Sequence, residues 1–153
     1  MFRSILVPVD GSPHAARALA EAADLAQATG AELTVMTSVP DAVTWGTFTA
    51  PSAGGDIQAL IAASEEGFRS ILDEAVAALP QGLPVKKVVA RGPAGPAIVD
   101  QVEAGGHDLV VMGSRGRGDF ASLLLGSVSH HVVHAAKAAV LIVHQPASAE
   151  AQR

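Results

Sequence analysis

Ile5-Leu6-Val7-Pro8-Val9-Asp10-Gly11-Ser12-Pro13 is the stretch that decides the fold. Ile5 to Val9 is a short apolar run without polar alternation, as expected for a strand covered on both faces. Asp10-Gly11 then turns the chain, Ser12 is placed to cap a helix, and Pro13 suits a first helical position. The Ala-rich segment from His14 to Thr29 is that helix, with Leu19 and Leu25 among small residues, and Gly30 stops it. Leu33 to Val39 follows as a second strand. A strand, a capped helix and a strand make one βαβ unit, which demands a crossover and a parallel sheet.

The same alternation continues outward. Asp41 to Gly55 is rich in Thr, Ser, Gly, Pro and Ala, carries Trp45 and Phe48, and reads as a loop. From Asp56, apolar residues recur at Ile57, Leu60, Ile61, Phe68, Ile71, Leu72, Val76 and Leu79, which is helical spacing, and Pro80-Gln81-Gly82 ends it. Val85 to Ala90 is a third strand and Ala94 to Ala104 a third helix. Leu109 to Met112 is a fourth strand, Ser127 to Ala136 a fourth helix, and Val140 to Val143 a fifth strand. The expected architecture is an open, mostly parallel five-stranded α/β sheet with helices on both faces. Residues 1–146 form one domain in this reading, and 147–153 a frayed polar tail. Ligands of such sheets bind beyond the carboxyl ends of the strands, where strand order reverses. That points to the segments after Val9, Val39 and Met112.

Composition limits the chemistry. The 153 residues suffice to bury a core, and the hydrophobic content of 49% with 16% charged residues is that of a globular chain. Aromatic content is only 3%, leaving few platforms for base stacking, and the net charge of −5 argues against a nucleic-acid surface. Without cysteine there is no disulfide, thiolate metal site or cysteine nucleophile. Met1-Phe2-Arg3-Ser4 shows no signal-peptide architecture, and no apolar run approaches a membrane span, so the expected location is the cytoplasm.

The strongest chemical signal is Met112-Gly113-Ser114-Arg115-Gly116-Arg117-Gly118, continuing to Leu125-Gly126-Ser127-Val128-Ser129. A strand ends, a glycine-rich loop follows, and a helix begins near Ser127. Glycines let main-chain amides approach a phosphate, and a helix N-terminus adds unpaired N–H groups and positive partial charge. Arg115 and Arg117 put two cations on the loop. On spacing alone, a phosphate site and a plain Gly-rich turn before a capped helix both stay open. The loop is no Walker A motif, because no Gly-Lys-Ser/Thr follows its glycines, and it fails the dinucleotide fingerprint.

The intervals within this loop resemble the ATP-binding class of the universal stress protein family. In that class a Gly, two residues, a Gly and nine residues lead to Gly followed by Ser or Thr. Gly113, Gly116, Gly126 and Ser127 satisfy the pattern. The likeness extends to the opening Ile5–Ser12, the Gly92 turn, Asp108–Gly116 and the closing Val140–Val143. It implies a Rossmann-like fold of the adenine nucleotide alpha-hydrolase type and a bound ATP, with Mg²⁺ or Mn²⁺ held through the phosphates. The implied nucleotide site comprises Pro8, Asp10, Ser38, Met112, Gly113, Arg115, Gly116, Gly126, Ser127 and Val128. Asp10 would contact the adenosine end, main chain around Ser38 would frame adenine, and Met112 and Gly113 would lie along the adenosine. Gly116, Gly126, Ser127 and Val128 would take the phosphates, largely through N–H groups. The resemblance also implies a homodimer through the edge strand Val140–Val143, with His144 and Gln145 near the two-fold.

Other readings compete at several positions. Asp10 before Gly-Ser can simply close an Asx-turn. His130 and His134 share a helix face and could hold a divalent ion, but no nearby carboxylate completes a site. His107 and His144 lie at strand edges without a constellation, and His14 is expected to face solvent. No Gly-x-Ser-x-Gly elbow supports a hydrolase. Asp41–Gly55 is either a lid or a mobile loop. Three functions follow: a nucleotide-responsive regulatory module acting through an unknown protein partner, a slow ATPase or autophosphorylating enzyme, and a nucleotide-free stress-protein dimer. No Lys clamp or general base supports turnover, and the complete glycine pattern opposes the third.

Overall fold

The computed structural model describes residues 1–41, 57–116 and 125–145. Its elements run in strict alternation: β1 (Ser4–Pro8), α1 (Pro13–Thr29), β2 (Glu32–Val39), α2 (Ile57–Ala77), β3 (Val85–Arg91), α3 (Ala94–Gly105), β4 (Leu109–Gly113), α4 (Ser127–Ala135) and β5 (Ala139–Val143). The expected tail at 147–153, most of the Asp41–Gly55 loop, and Arg117 fall outside the described residues.

Local chemistry sets the first unit as its sequence suggests. Ser12 caps α1, its Oγ accepting from Ala15 N at 3.2 Å, and Pro13 occupies the first turn, where its missing N–H goes unneeded. Gly30 ends the helix in the left-handed region, at φ 73°, donating its N–H to Ala26 O.

All strand pairs are parallel, and the sheet order is β3-β2-β1-β4-β5. The chain first builds from β1 out to β3, then returns across β1 to place β4 and β5 on its other side. Strand order therefore reverses between β1 and β4.

Alternate residues of each strand feed two cores. Ile5, Val7, Leu33, Val35, Leu109 and Val111 pack against α1 and α2, whose Ala18, Ala22 and Leu72 are buried there. Leu6, Met36, Val110 and Met112 pack against α3 and α4 through Ile98, Val102 and Val132. Because α1 is lined with alanine, it sits close to the sheet. Gly113 lies directly against α1: a Cβ built on this glycine would lie 2.7 Å from His14 Cβ and 2.8 Å from the His14 carbonyl carbon.

The two sheet edges differ. On β3, Lys86 pairs with Glu32 and Lys87 with Asp73 at 2.8 Å, so charge guards that edge. On β5, Leu141 is 39% exposed, and Val133 of the adjoining α4 is 44% exposed. At the amino-terminal end of the sheet, the Asp108 carboxylate accepts from Arg3 N and Ser4 N, at 2.9 and 3.0 Å, and fastens β1. Desolvation works to raise the pKa of that carboxyl, but the amides outweigh it and hold the value below normal.

Candidate functional site

A cleft of about 430 Å³ opens at the carboxyl ends of β1, β2 and β4, at the reversal point. Two loops part there. After Val9 the chain leaves through Gly11, at φ 79°, and Asp10 Oδ1 accepts from Ser12 N at 2.9 Å. Asp10 thus closes an Asx-turn and also lines the cleft. The two readings of this residue are compatible: the turn is what points the carboxylate at the opening.

One end of the cleft is apolar. Met36, Pro40, Phe68, Pro93 and Ile98 form its walls. The last main-chain bond between β1 and β2 runs from Val9 N to Met36 O at 2.8 Å. In an extended strand, residues two apart direct their main-chain groups to the same side. Those of Ser38 therefore face the β1 side, where β1 has already turned away, and they open on the cleft. This gives the main chain at Ser38 a hydrogen-bonding edge beside an apolar slot. Gly92, at φ 98°, closes the same wall by donating its N–H to Val39 O at 2.9 Å.

The other end is main chain and positive dipole. Gly113, Arg115 and Gly116 leave β4 along the cleft, and Ser127, Val128 and Ser129 begin α4 against it. The N-cap of α4 is Gly126, which has no side chain to cap the helix, and no side chain among the described residues does so. The first-turn amides of Ser127 and Val128 thus meet the cleft with no intrahelical acceptor, the usual condition for receiving an anion. Ser129, buried, donates its hydroxyl to Gly113 O at 2.8 Å and ties this first turn to the end of β4.

Nine of the ten expected site residues line the cleft: Pro8, Asp10, Ser38, Met112, Gly113, Arg115, Gly116, Ser127 and Val128. Gly126 does not. Its N–H donates to Ser114 O at 2.7 Å, so the amide expected for a phosphate is spent on closing the loop. The glycine serves as the cap from which the next amides project. Gly113 has a packing reason as well, since α1 leaves no room for its Cβ.

Two histidine expectations change, and that for His130 and His134 stands. His14 is half-buried against Gly113 rather than solvated, and its Nδ1 is buried with no hydrogen-bond partner among the described residues. His107 is 8% exposed and hydrogen-bonded to Ser4 Oγ at 2.8 Å, at the end of the sheet opposite the cleft. Burial pushes its pKa down. His130 and His134 do stack, with ring centroids 4.4 Å apart, but both are exposed. Among the described residues no cluster of three metal-ligating side chains occurs.

Sequence reasoning missed Phe68, Pro93 and Ile98 as wall residues. Phe68 and Ile98 sit in helical apolar patterns that a core position would produce equally well. Only the topology shows that these helix turns overhang the sheet's carboxyl edge.

The comparisons with known proteins agree with this geometry. The sequence profile of the universal stress protein family matches residues 1–144. The universal stress protein of Thermus aquaticus from the QAH/OAS sulfhydrylase 3′ region is 36% identical over 152 residues, covering 94% of this chain and 99% of that relative. Universal stress protein UspA from Lactobacillus plantarum superposes with a TM-score of 0.73 at 25% identity, covering 93% of this chain and 97% of its own. A universal stress protein solved in complex with cAMP superposes at 0.62 with 27% identity, covering 94% and 97%. With the five-stranded parallel sheet, the cleft at its reversal point and a family match across nearly the whole chain, this protein belongs to the universal stress protein family.

Proposed function

We infer that the cleft binds an adenine nucleotide, with the base in the apolar end and the phosphates at the α4 N-terminus. One observation carries this reading: a single opening joins an apolar slot beside the Ser38 main chain to an uncapped helix N-terminus. A base needs the first and a phosphate chain the second. The relative solved with cAMP shows that a universal stress protein of this shape accepts an adenine nucleotide.

The ligand we favour is ATP, with Mg²⁺ or Mn²⁺ bridging its phosphates. Arg115, Gly116, Ser127 and Val128 would face the phosphates, and Asp10 with Ser38 the nucleoside. Among the described residues that would face the phosphates, Arg115, Gly116, Ser127 and Val128, none is a carboxylate or an imidazole. The role we favour is a nucleotide-responsive stress regulator in the cytoplasm, working through a protein partner, with slow ATP hydrolysis as the alternative. The apolar β5 edge, unlike the lysine-guarded β3 edge, supports a homodimer formed by pairing β5 with its copy.

Analysis of small molecules released on denaturation, together with a thermal shift on adding Mg-ATP, tests the reading. Adenine nucleotide in the released pool and a rise in Tm are expected. Neither release nor shift would sink it. Steady phosphate production that disappears in Ser127→Asp would instead favour the enzymatic alternative.

A further inference from the structure

Glu65 and Phe68 are three residues apart on α2, so they share a helix face. Phe68 lines the apolar end of the cleft and is the sole aromatic side chain there among the described residues. It continues the apolar stripe of buried Leu72 and partly buried Ile71 and Ala75 toward the carboxyl edge of the sheet. Glu65 reaches across to Arg91, the last residue of β3, in a hydrogen-bonded ion pair. The guanidinium holds the Glu65 carboxyl below its ordinary pKa. Arg91 leads directly into Gly92 and Pro93, which form the facing wall of the same cleft. The ion pair therefore struts two walls that the sheet alone does not join.

We propose that Phe68 is the base-selecting surface of the cleft and that the Glu65–Arg91 pair is the positioning device that fixes its distance from the Gly92–Pro93 wall. This inference rests on the nucleotide reading above and deepens it. Main chain at Ser38 offers any base a donor and an acceptor. Apolar Met36, Pro40 and Ile98 offer area without a preference for ring size. An aromatic face is different, because stacking grows with ring overlap, and a purine overlaps more than a pyrimidine. As an exposed pair, Glu65–Arg91 adds little to stability in its own right. Its consequence is geometric: slackening it widens the slot and loses the contact that distinguishes a large flat base.

The test uses the full chain, with dissociation constants for ATP, UTP and inorganic tripolyphosphate measured by calorimetry in Mg²⁺. Phe68→Leu preserves apolar volume. It is expected to raise the Kd for ATP roughly 10-fold, in line with a lost base–aromatic stack, and to leave tripolyphosphate unchanged, so that the preference for ATP over UTP shrinks. Glu65→Arg and Arg91→Glu singly should each raise the ATP Kd roughly 3-fold, and the two together should restore it, as in a double-mutant cycle. A merely structural role would weaken all three ligands alike and would give no such restoration.

Wild-type protein that binds none of the three overturns the nucleotide reading itself. Wild-type binding of ATP with Phe68→Leu unchanged, or with ATP and UTP weakened equally, overturns the assignment of Phe68. Failure of the double swap to restore ATP affinity overturns the positioning role of the ion pair.

Discussion

Replacing Gly113 with alanine separates the two reasons a glycine could stand there. The added Cβ would lie 2.7 Å from His14 Cβ, 2.8 Å from its carbonyl carbon and 2.9 Å from its carbonyl oxygen. Each distance is well inside the roughly 3.5–4.0 Å optimum for nonbonded contact. Two of the three atoms are α1 main chain, so no rotamer change relieves the overlap, and α1 must back away from β4. Overpacking of this kind costs about 1–3 kcal/mol. The rigid neighbours place this case near 2 kcal/mol, which for a chain of this size lowers Tm by roughly 6 °C. Urea unfolding followed by circular dichroism, without nucleotide, measures it. His14→Ala in the same background retains the Cβ and carbonyl and should recover less than about 0.5 kcal/mol, a difference within ordinary additivity. Stability of Gly113→Ala equal to wild type, with nucleotide affinity alone reduced, would refute the packing argument and return Gly113 wholly to the ligand.

Further outcomes follow from the same geometry. Ser127→Asp should raise stability by about 0.3–1 kcal/mol, because an acid in the first turn suits the helix dipole, while repelling phosphates and weakening ATP binding by at least about 10-fold, since like charges a few ångströms apart at an effective surface dielectric repel by more than about 1.4 kcal/mol. Thermal melts paired with calorimetry read the opposite signs, and a variant that binds ATP as well as wild type contradicts the phosphate placement. Leu141→Lys copies onto β5 the device that guards β3 and should yield monomers in sedimentation. A dimer that survives it uses another surface. Burial lowers the pKa of His107, so folding favours its neutral form. Stability is then complete above the unfolded histidine value of about 6.5 and declines as pH falls through it. The fall in Tm between pH 7 and 5 should be shallower in His107→Gln, and equal slopes would remove His107 as the source.

The sequence by itself determined the order of elements, because each local signal speaks for itself. Ser12 with Pro13 starts α1, Gly30 stops it, and unbroken apolar runs such as Leu109–Met112, too short for helices, fit strands covered on both faces. Together with the family resemblance, it also named nine of the residues that line the cleft. Glycine intervals and strand ends are contiguous features, and right-handed βαβ connection carries them to one end of the sheet. Tertiary structure decided what depends on distant partners. That Phe68 lines a cleft while Leu72, one turn on, is core depends on where the sheet ends, which no helical periodicity encodes. That the Gly126 amide is taken by Ser114 O, that His107 is buried against Ser4, and that α1 forbids a side chain at 113 are contacts between segments remote or non-repetitive in sequence. The apolar pattern of Val140–Val143 reads the same at a sheet's centre or its edge. Its expected edge position is borne out by the order β3-β2-β1-β4-β5, and the degree to which Leu141 is exposed there is set by the packing of that edge.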